Sequence, residues 1–476
     1  PLLTDLYQLT MAYGYWRSGL ADRDAVFHLS FRKAPFGSGF TVAAGLEPAI
    51  EYLRGYAFTA EDIEYLRSLT GTDARALFSE EFLRYLQGLR LTCDVDAVPE
   101  GTVVFPHEPL VRVRGPILQA QLIETALLNI INFQSLVATK AARVVLASGG
   151  RTVLEFGLRR AHGPDGGLSA SRAAFLGGCA ATSNVLAGQK FGIDVRGTHA
   201  HSWVMAFPDE LTAFEAYAEA MPNNVLLLVD TYDTLEGVRN AIAVGRKLRA
   251  RGSKLIGIRL DSGDLAWLSI EARRLLDEAD FTEAKIVATN DLDEEVIASL
   301  IAQGARIDVW GVGTRLVTAF DHPALGGVYK LGAIRDEGGE WERRLKVSEQ
   351  ALKTSIPGVL QVRRFTGGSR AAGDMIYDTL DGEPAEPVII DPGDPTRRKS
   401  LEDCSWHDLL VPVFRGGSLV YDIPPVAASR EHALAELSAF HSGVKRIRNP
   451  HIYPAGLEKR LHERRTELIF QARGER

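Results

Sequence analysis

The chain has 476 residues, too many for one small module and enough for two or three domains at ~150 residues each. Hydrophobic residues at 46% and charged residues at 24% are ordinary globular values and exclude a disordered, collagenous or coiled-coil chain. With 54 Lys and Arg against 61 Asp and Glu the net charge is −7 and no basic tail is present, so nucleic acid is not the expected partner and any anionic ligand must be met by local arginines or backbone amides.

In chain order, the first ~130 residues predict a separate α+β domain. It has a helix from Thr4 to Trp16, a strand near Val26–Phe31, helices between Ala60 and Gly88, and a β-rich stretch from Thr92 to Arg114. Residues 131–345 then alternate short β-branched runs with longer helical patterns, the mark of repeated βα units. The candidate strands are Thr152–Phe156, Val195–Thr198, Val225–Asp230, Leu255–Leu260, Lys285–Thr289, Ile307–Gly311 and Val328–Leu331. Seven parallel strands suggest a barrel, with a doubly wound open sheet as the alternative, since periodicity does not tell closure from openness. Residues 346–476 turn β-rich again, pass a loop with Pro384, Pro387, Pro392 and Pro395, and end in helices near Arg430–His441 and Leu457–Gln471; this segment is expected to rejoin the first domain in part.

Three cysteines, Cys93, Cys179 and Cys404, form no CxxC pair, so neither a disulfide framework nor a zinc knuckle is expected. The start, Pro1-Leu2-Leu3-Thr4-Asp5, has neither a basic region nor a long apolar one, and apolar runs such as Val225–Val229 are too short for a bilayer. A reduced, cytoplasmic protein with no membrane partner is the expectation.

Ligands of parallel α/β architectures bind at the carboxyl ends of the strands. Those ends are polar here: Phe156 to Arg160, Gly197 to Ser202, Asp230 to Thr234, Arg259 to Asp264, Thr289 to Asp291, and Gly311 to Thr314. Helix caps explain one such cluster, as Asp291 with Glu294 would be. Six clusters carrying Arg, His and Asp together point to a shared active site. Gly311-Val312-Gly313-Thr314 has the glycines of a phosphate-binding turn, but Leu316 replaces the third glycine of a dinucleotide fingerprint, which favours a mononucleotide-type phosphate cradle. His199 and His201 admit a zinc pair of a metal-dependent barrel hydrolase, a structural histidine, or a catalytic His201. Asp230 has an ordinary helix cap as its plain reading.

These residues resemble the nicotinate phosphoribosyltransferases. The likeness runs through Thr4 to Met11, Phe156 to Gly167, Ser183 to Ala187, Gly197 to Ser202, Arg259 to Asp264, Gly326 to Leu331 and Asn449-Pro450-His451, and so covers most of the chain. The resemblance implies a type II phosphoribosyltransferase fold: an irregular TIM-like α/β barrel beside an α+β domain, assembled as a homodimer with sites at the subunit interface. It implies nicotinate, phosphoribosyl pyrophosphate and ATP as substrates, with Mg²⁺.

Residue by residue, it implies that His201 is phosphorylated by ATP and that Asp230 orients its imidazole. Arg259 and Asp261, with Ser262, Gly263 and Asn290, bind the ribose diphosphate, and Asp261 holds the Mg²⁺. Gly311, Gly313 and Thr314 hold a terminal phosphate, and Arg32 reaches the phosphate of the neighbouring subunit. Phe156 and the neighbour's Tyr7 sandwich the pyridine, beside Thr182 and Ser183, where no acid specifies nicotinamide. Arg159, or Arg160 one residue on, faces the nicotinate carboxylate; at ~4 Å and an effective dielectric of ~20 such a pair is worth roughly 4 kcal/mol before desolvation. The remaining alternatives are nicotinamide as the base, the barrel hydrolase, and a non-enzymatic scaffold.

Overall fold

The structure is a computed structural model that describes residues 1–348 and 354–474. Contacts divide the chain into two compact units: Pro1–Leu136 with Ala324–Pro424 and Glu431–Arg476, and Val137–Pro323 with Pro425–Arg430.

The second unit is built on six parallel strands, β1 Thr152–Glu155, β2 Ala181–Thr182, β3 Leu226–Leu228, β4 Gly257–Leu260, β5 Lys285–Ala288 and β6 Val309–Val312, hydrogen-bonded in the order β2-β1-β6-β5-β4-β3. Apolar residues fill them because both faces are covered: Val153, Leu227, Leu228, Ile258, Leu260, Ile286, Ala288, Trp310 and Val312 are all buried. Helices such as Thr234–Ala250 and Leu265–Glu278 follow the strands, each opened by an aspartate, Asp233 or Asp264, that accepts a backbone N–H of the first turn.

The first strand in sequence, β1, pairs with the last, β6, as in a ring, but the ladder between the edge strands β2 and β3 does not close. The segment between them forms no strand. Val195 makes an isolated parallel bridge to Thr182 on β2. At the other edge the contacts are through side chains: Asn224 donates to the Gly197 carbonyl at 3.2 Å, and the Leu228 N–H donates to His199 Nε2 at 3.3 Å. The expected closed barrel is therefore not seen as a backbone ladder, and Val195–Thr198 is corrected from a strand to an extended seam. Ala181–Thr182, two residues long, was not foreseen.

The seventh expected strand lies elsewhere. Gly327–Arg335 belongs to the first unit, antiparallel to Asp24–Phe31 in a seven-stranded sheet. A second, six-stranded sheet of the first unit is centred on the long hairpin Leu360–Gly367 and Arg370–Asp378. The helix Leu6–Arg17 leaves Leu6, Tyr7 and Met11 exposed, and Leu3 is exposed just before it. Glu124–Ala147 has the length and apolarity of a bilayer span, but 72% of its most apolar stretch is buried inside the protein, as for a core helix.

Candidate active site

The carboxyl ends of the parallel strands border a crater of about 510 Å³. Phe156, Arg159 and Arg160 come from the turn after β1, Ser183 follows β2, and His199 and His201 come from the seam and the helix that follows it. Arg259 and Asp261 end β4; Thr289, Asn290 and Asp291 follow β5; Gly311, Gly313 and Thr314 end β6.

Backbone geometry at two of these ends is demanding. A Cβ at Gly311 would sit 2.7 Å from the Thr289 methyl and 2.8 Å from the Phe156 ring, so only glycine lets that ring lie against β6. Asn290 and Asp291 are consecutive residues at φ +83° and +46°, a left-handed pair of the kind that concentrates at ligand sites.

The two histidines differ in what their nitrogens do. His199 is buried, and because Nε2 accepts the Leu228 N–H, the proton sits on Nδ1 and is donated to the Ala200 carbonyl at 3.3 Å. Burial lowers its pKa to about 4, so it stands neutral with both nitrogens engaged. His201 is 37% exposed; its Nδ1 meets the Thr231 hydroxyl at 3.2 Å and its Nε2 lies 3.6 Å from Asp261 Oδ2. No group of three His, Cys, Asp or Glu side chains suited to a metal occurs among the described residues, so the two-histidine zinc reading has no support.

Asp230 is buried but does not hold the imidazole. Its Oδ2 accepts the Asp261 N–H at 2.8 Å and the Ser262 hydroxyl at 2.7 Å, so it fixes the turn that carries Asp261, while Thr231 and Asp261 flank His201. Asp261 Oδ1 accepts from the Thr289 hydroxyl. Arg259 donates to the His199 carbonyl at 2.7 Å; burial lowers its pKa, with Asp261 and Asp230 opposing. Arg259 Nε and Asp230 Oδ1 are buried without hydrogen-bond partners and suit a polar ligand.

Other expectations move. Thr182 is fully buried with its hydroxyl donated to Glu155 at 2.5 Å, so it does not face the base. Ser262 and Gly263 are exposed on the turn after β4 but do not border the crater: the serine hydroxyl is held by Asp230, and Gly263, at φ +80°, turns the chain toward the next helix. Tyr7 lies on the first-unit helix, 49% exposed. Arg32 borders a first-unit cleft of about 40 Å³ with His28, His107 and Lys330. Asp291, expected as a helix cap, borders the crater instead, and the cap of the next helix is Asp293; Thr231 and Thr289 are further residues of the polar strand-end clusters, recognisable there.

A cationic, aromatic crater with an accessible imidazole, at the carboxyl ends of parallel strands, defines an α/β enzyme built for an anionic ligand. Three family models match in succession: the nicotinate phosphoribosyltransferase N-terminal domain over residues 2–132, the nicotinate phosphoribosyltransferase family over 152–342, and the C-terminal domain over 361–465. A nicotinate phosphoribosyltransferase of Bacillus subtilis is 46% identical across 99% of this chain and 96% of its own, and the human one is 38% identical across 97% and 95%. The crystal structure of human nicotinic acid phosphoribosyltransferase superposes with a TM-score of 0.84 at 34% identity, covering 98% of this chain and 99% of that one. A nicotinate-nucleotide pyrophosphorylase from Pyrococcus furiosus, 22% identical over 92% and 94% of the two chains with a TM-score of 0.70, shares the fold. The chain belongs to the nicotinate phosphoribosyltransferase family.

Proposed function

We propose that this chain is an ATP-coupled nicotinate phosphoribosyltransferase, joining nicotinate to phosphoribosyl pyrophosphate to give nicotinate mononucleotide and pyrophosphate, the first step of NAD salvage from nicotinate. The observation that carries the reading is the crater itself, where Phe156, Arg159, Arg160, Arg259, Asp261 and His201 converge in a chain 46% identical to a relative of that name. Phe156 supplies a stacking face for the pyridine, and Arg159 or Arg160 a cation for its carboxylate. With Ser183 rather than an acid beside them, the charged base is preferred to nicotinamide.

The pyridine nitrogen carries no proton, so its lone pair attacks C1 of the ribose directly; the N–C1 bond forms as the C1–O bond to pyrophosphate breaks. No general base is required. Arg259 and the Gly311–Thr314 turn hold the phosphates, and Asp261 would hold Mg²⁺ together with substrate oxygens. One or two carboxylates plus phosphates are the usual magnesium set, and Asp261 and Asp291 are the crater's acids. Bound there, Mg²⁺ would neutralise the departing pyrophosphate.

His201 is free for a second task. An imidazole nitrogen accepts the terminal phosphoryl group of ATP, releasing ADP, and hydrolysis of the phosphohistidine drives the transfer forward. We read the second unit as an irregular barrel closed at the seam by residues 194–199, a reading supported by the bridge to β2 and the side-chain contacts to β3.

The active form is a cytoplasmic homodimer in which Tyr7 and Arg32 serve the partner's crater; Tyr7 and Met11, four residues apart on the helix and both exposed beside Leu6, support a covered face there. The test is mononucleotide formation from nicotinate and phosphoribosyl pyrophosphate with Mg²⁺, with and without ATP, in the intact protein and His201→Ala. ATP stimulation in the intact protein alone is expected; full stimulation in the variant sinks the phosphohistidine role, and no product in either sinks the reaction.

A further inference from the structure

We infer that Glu155, which does not border the crater, is the positioning residue that sets the spacing of Phe156 and Ser183, the residues assigned above to the base; the inference rests on that assignment. Glu155 is the last residue of β1 and fully buried. A carboxyl group at such a place is costly unless its oxygens are bonded. Three donors meet it: the Gly157 N–H on Oε1, and on Oε2 the hydroxyls of Ser171 at 2.8 Å and Thr182 at 2.5 Å. The network continues, since the Thr182 hydroxyl accepts the Asn184 N–H at 3.0 Å and the Asn184 side chain donates to Ser171 at 3.1 Å.

The register of these contacts carries the argument. Phe156 stands between Glu155 and Gly157, and Ser183 between Thr182 and Asn184, so each crater residue is flanked on both sides by members of one buried network. At Thr182–Asn184 side chains alternate along extended chain, so pinning the flanking residues fixes Ser183 between them; at β1 the Glu155 carboxylate takes the Gly157 N–H and closes the backbone around Phe156. The helix Gly163–Leu176, through Ser171, joins both strand ends to one anchor. Fixing the two walls at a set distance gives a flat base one place to bind, and a group one shell away controls it.

The test is Glu155→Gln in the full chain, with the intact protein in parallel and nicotinate and phosphoribosyl pyrophosphate varied separately. Glutamine keeps the volume, and the Ser171 hydroxyl has the Gly167 carbonyl at 3.0 Å as another acceptor, so the fold is retained. The KM for nicotinate is expected to rise ~10–100-fold, while kcat and the KM for phosphoribosyl pyrophosphate stay within about twofold. Discrimination against nicotinamide falls in the same variant. An unchanged nicotinate KM overturns the inference, and so does an equal loss toward both substrates. Should the glutamine variant not fold, Ser171→Ala removes one donor and is expected to show a smaller selective rise, about threefold; no selective rise there overturns the inference as well. An inactive intact protein overturns the parent reaction together with the inference, whereas an active one with an unaffected variant overturns the inference alone.

Discussion

The crater of the second unit and the cleft of the first are both floored by a neutral histidine, yet they differ in charge design. His199 Nε2 accepts the Leu228 N–H and His28 Nε2 accepts the Leu360 N–H at 3.1 Å, so each imidazole completes backbone hydrogen bonding. The crater is lined by arginines 159, 160 and 259 together with the carboxylates of Asp261 and Asp291, whereas the cleft has Arg32, Lys330 and two histidines, with no acid among its described lining residues. Room differs as well, about 510 Å³ against about 40 Å³. A roomy site with charges of both signs suits a reaction in which charge moves; a narrow one whose charged lining is Arg32 and Lys330 suits holding an anion. Under the proposed function, the crater carries the chemistry and the cleft anchors a phosphate.

That division can be broken by experiment. The largest effects belong to the crater: His201→Ala is expected to lose ATP stimulation altogether, and Asp261→Asn to lower kcat by ~10²–10³-fold, both read by nucleotide formation. Next, Arg159→Ala should raise the KM for nicotinate ~10²-fold with a smaller effect on phosphoribosyl pyrophosphate. If Arg160→Ala gives the larger rise, the carboxylate partner is one residue further on. Arg32→Ala should raise the KM for phosphoribosyl pyrophosphate ~10-fold and leave nicotinate alone; an equal loss toward nicotinate would erase the distinction between cleft and crater. Mixing Asp261→Asn with Tyr7→Ala, each impaired alone, should raise activity above the sum of the two through hybrid dimers, and no gain removes the shared-site reading.

The smallest effect is on stability. Burial, with a contribution from Arg112, lowers the His28 pKa to about 3, and burial lowers that of His199 to about 4. Their unfolded value is ~6.5, so between it and the folded values the unfolded chain binds more protons. Stability is complete above ~6.5 and falls as the pH drops toward 4. Urea midpoints should track this, and His199→Gln, which keeps an acceptor, should flatten the slope while retaining most activity at neutral pH.

How much of this was legible beforehand depended on the range of the interaction. The strand ends after β1, β4, β5 and β6 could be read because a short apolar run followed by Arg, Asp or Gly is a local pattern. Gly327–Arg335 has the same local pattern, but its partner Asp24–Phe31 lies some three hundred residues away, and nothing local distinguishes an antiparallel neighbour from a parallel one. Ala181–Thr182 is too short to show alternation. The family resemblance makes Asp230 the partner of His201; whether a carboxylate points at an imidazole or at the next backbone N–H is a matter of rotamer, and here Asp261 N–H and Ser262 claim it. The family resemblance places both Thr182 and Ser183 at the base, but adjacent residues of extended chain face opposite ways, and only Ser183 borders the crater.

The seam between β2 and β3 also bears on how the molecule moves. A ring of strands held by amide ladders opens only by breaking several bonds together, but at residues 194–199 the contacts toward β3 are an imidazole and a carboxamide, each of which releases by a single side-chain rotation. Such a joint is the natural place for sub-global opening. In deuterium exchange the amide of Leu228 should label ahead of those of Ile258 and Val287, and since His201 begins the helix just beyond the seam, its parting would widen access to the reactive imidazole while the sheet that carries Arg259 and Asp261 stays whole.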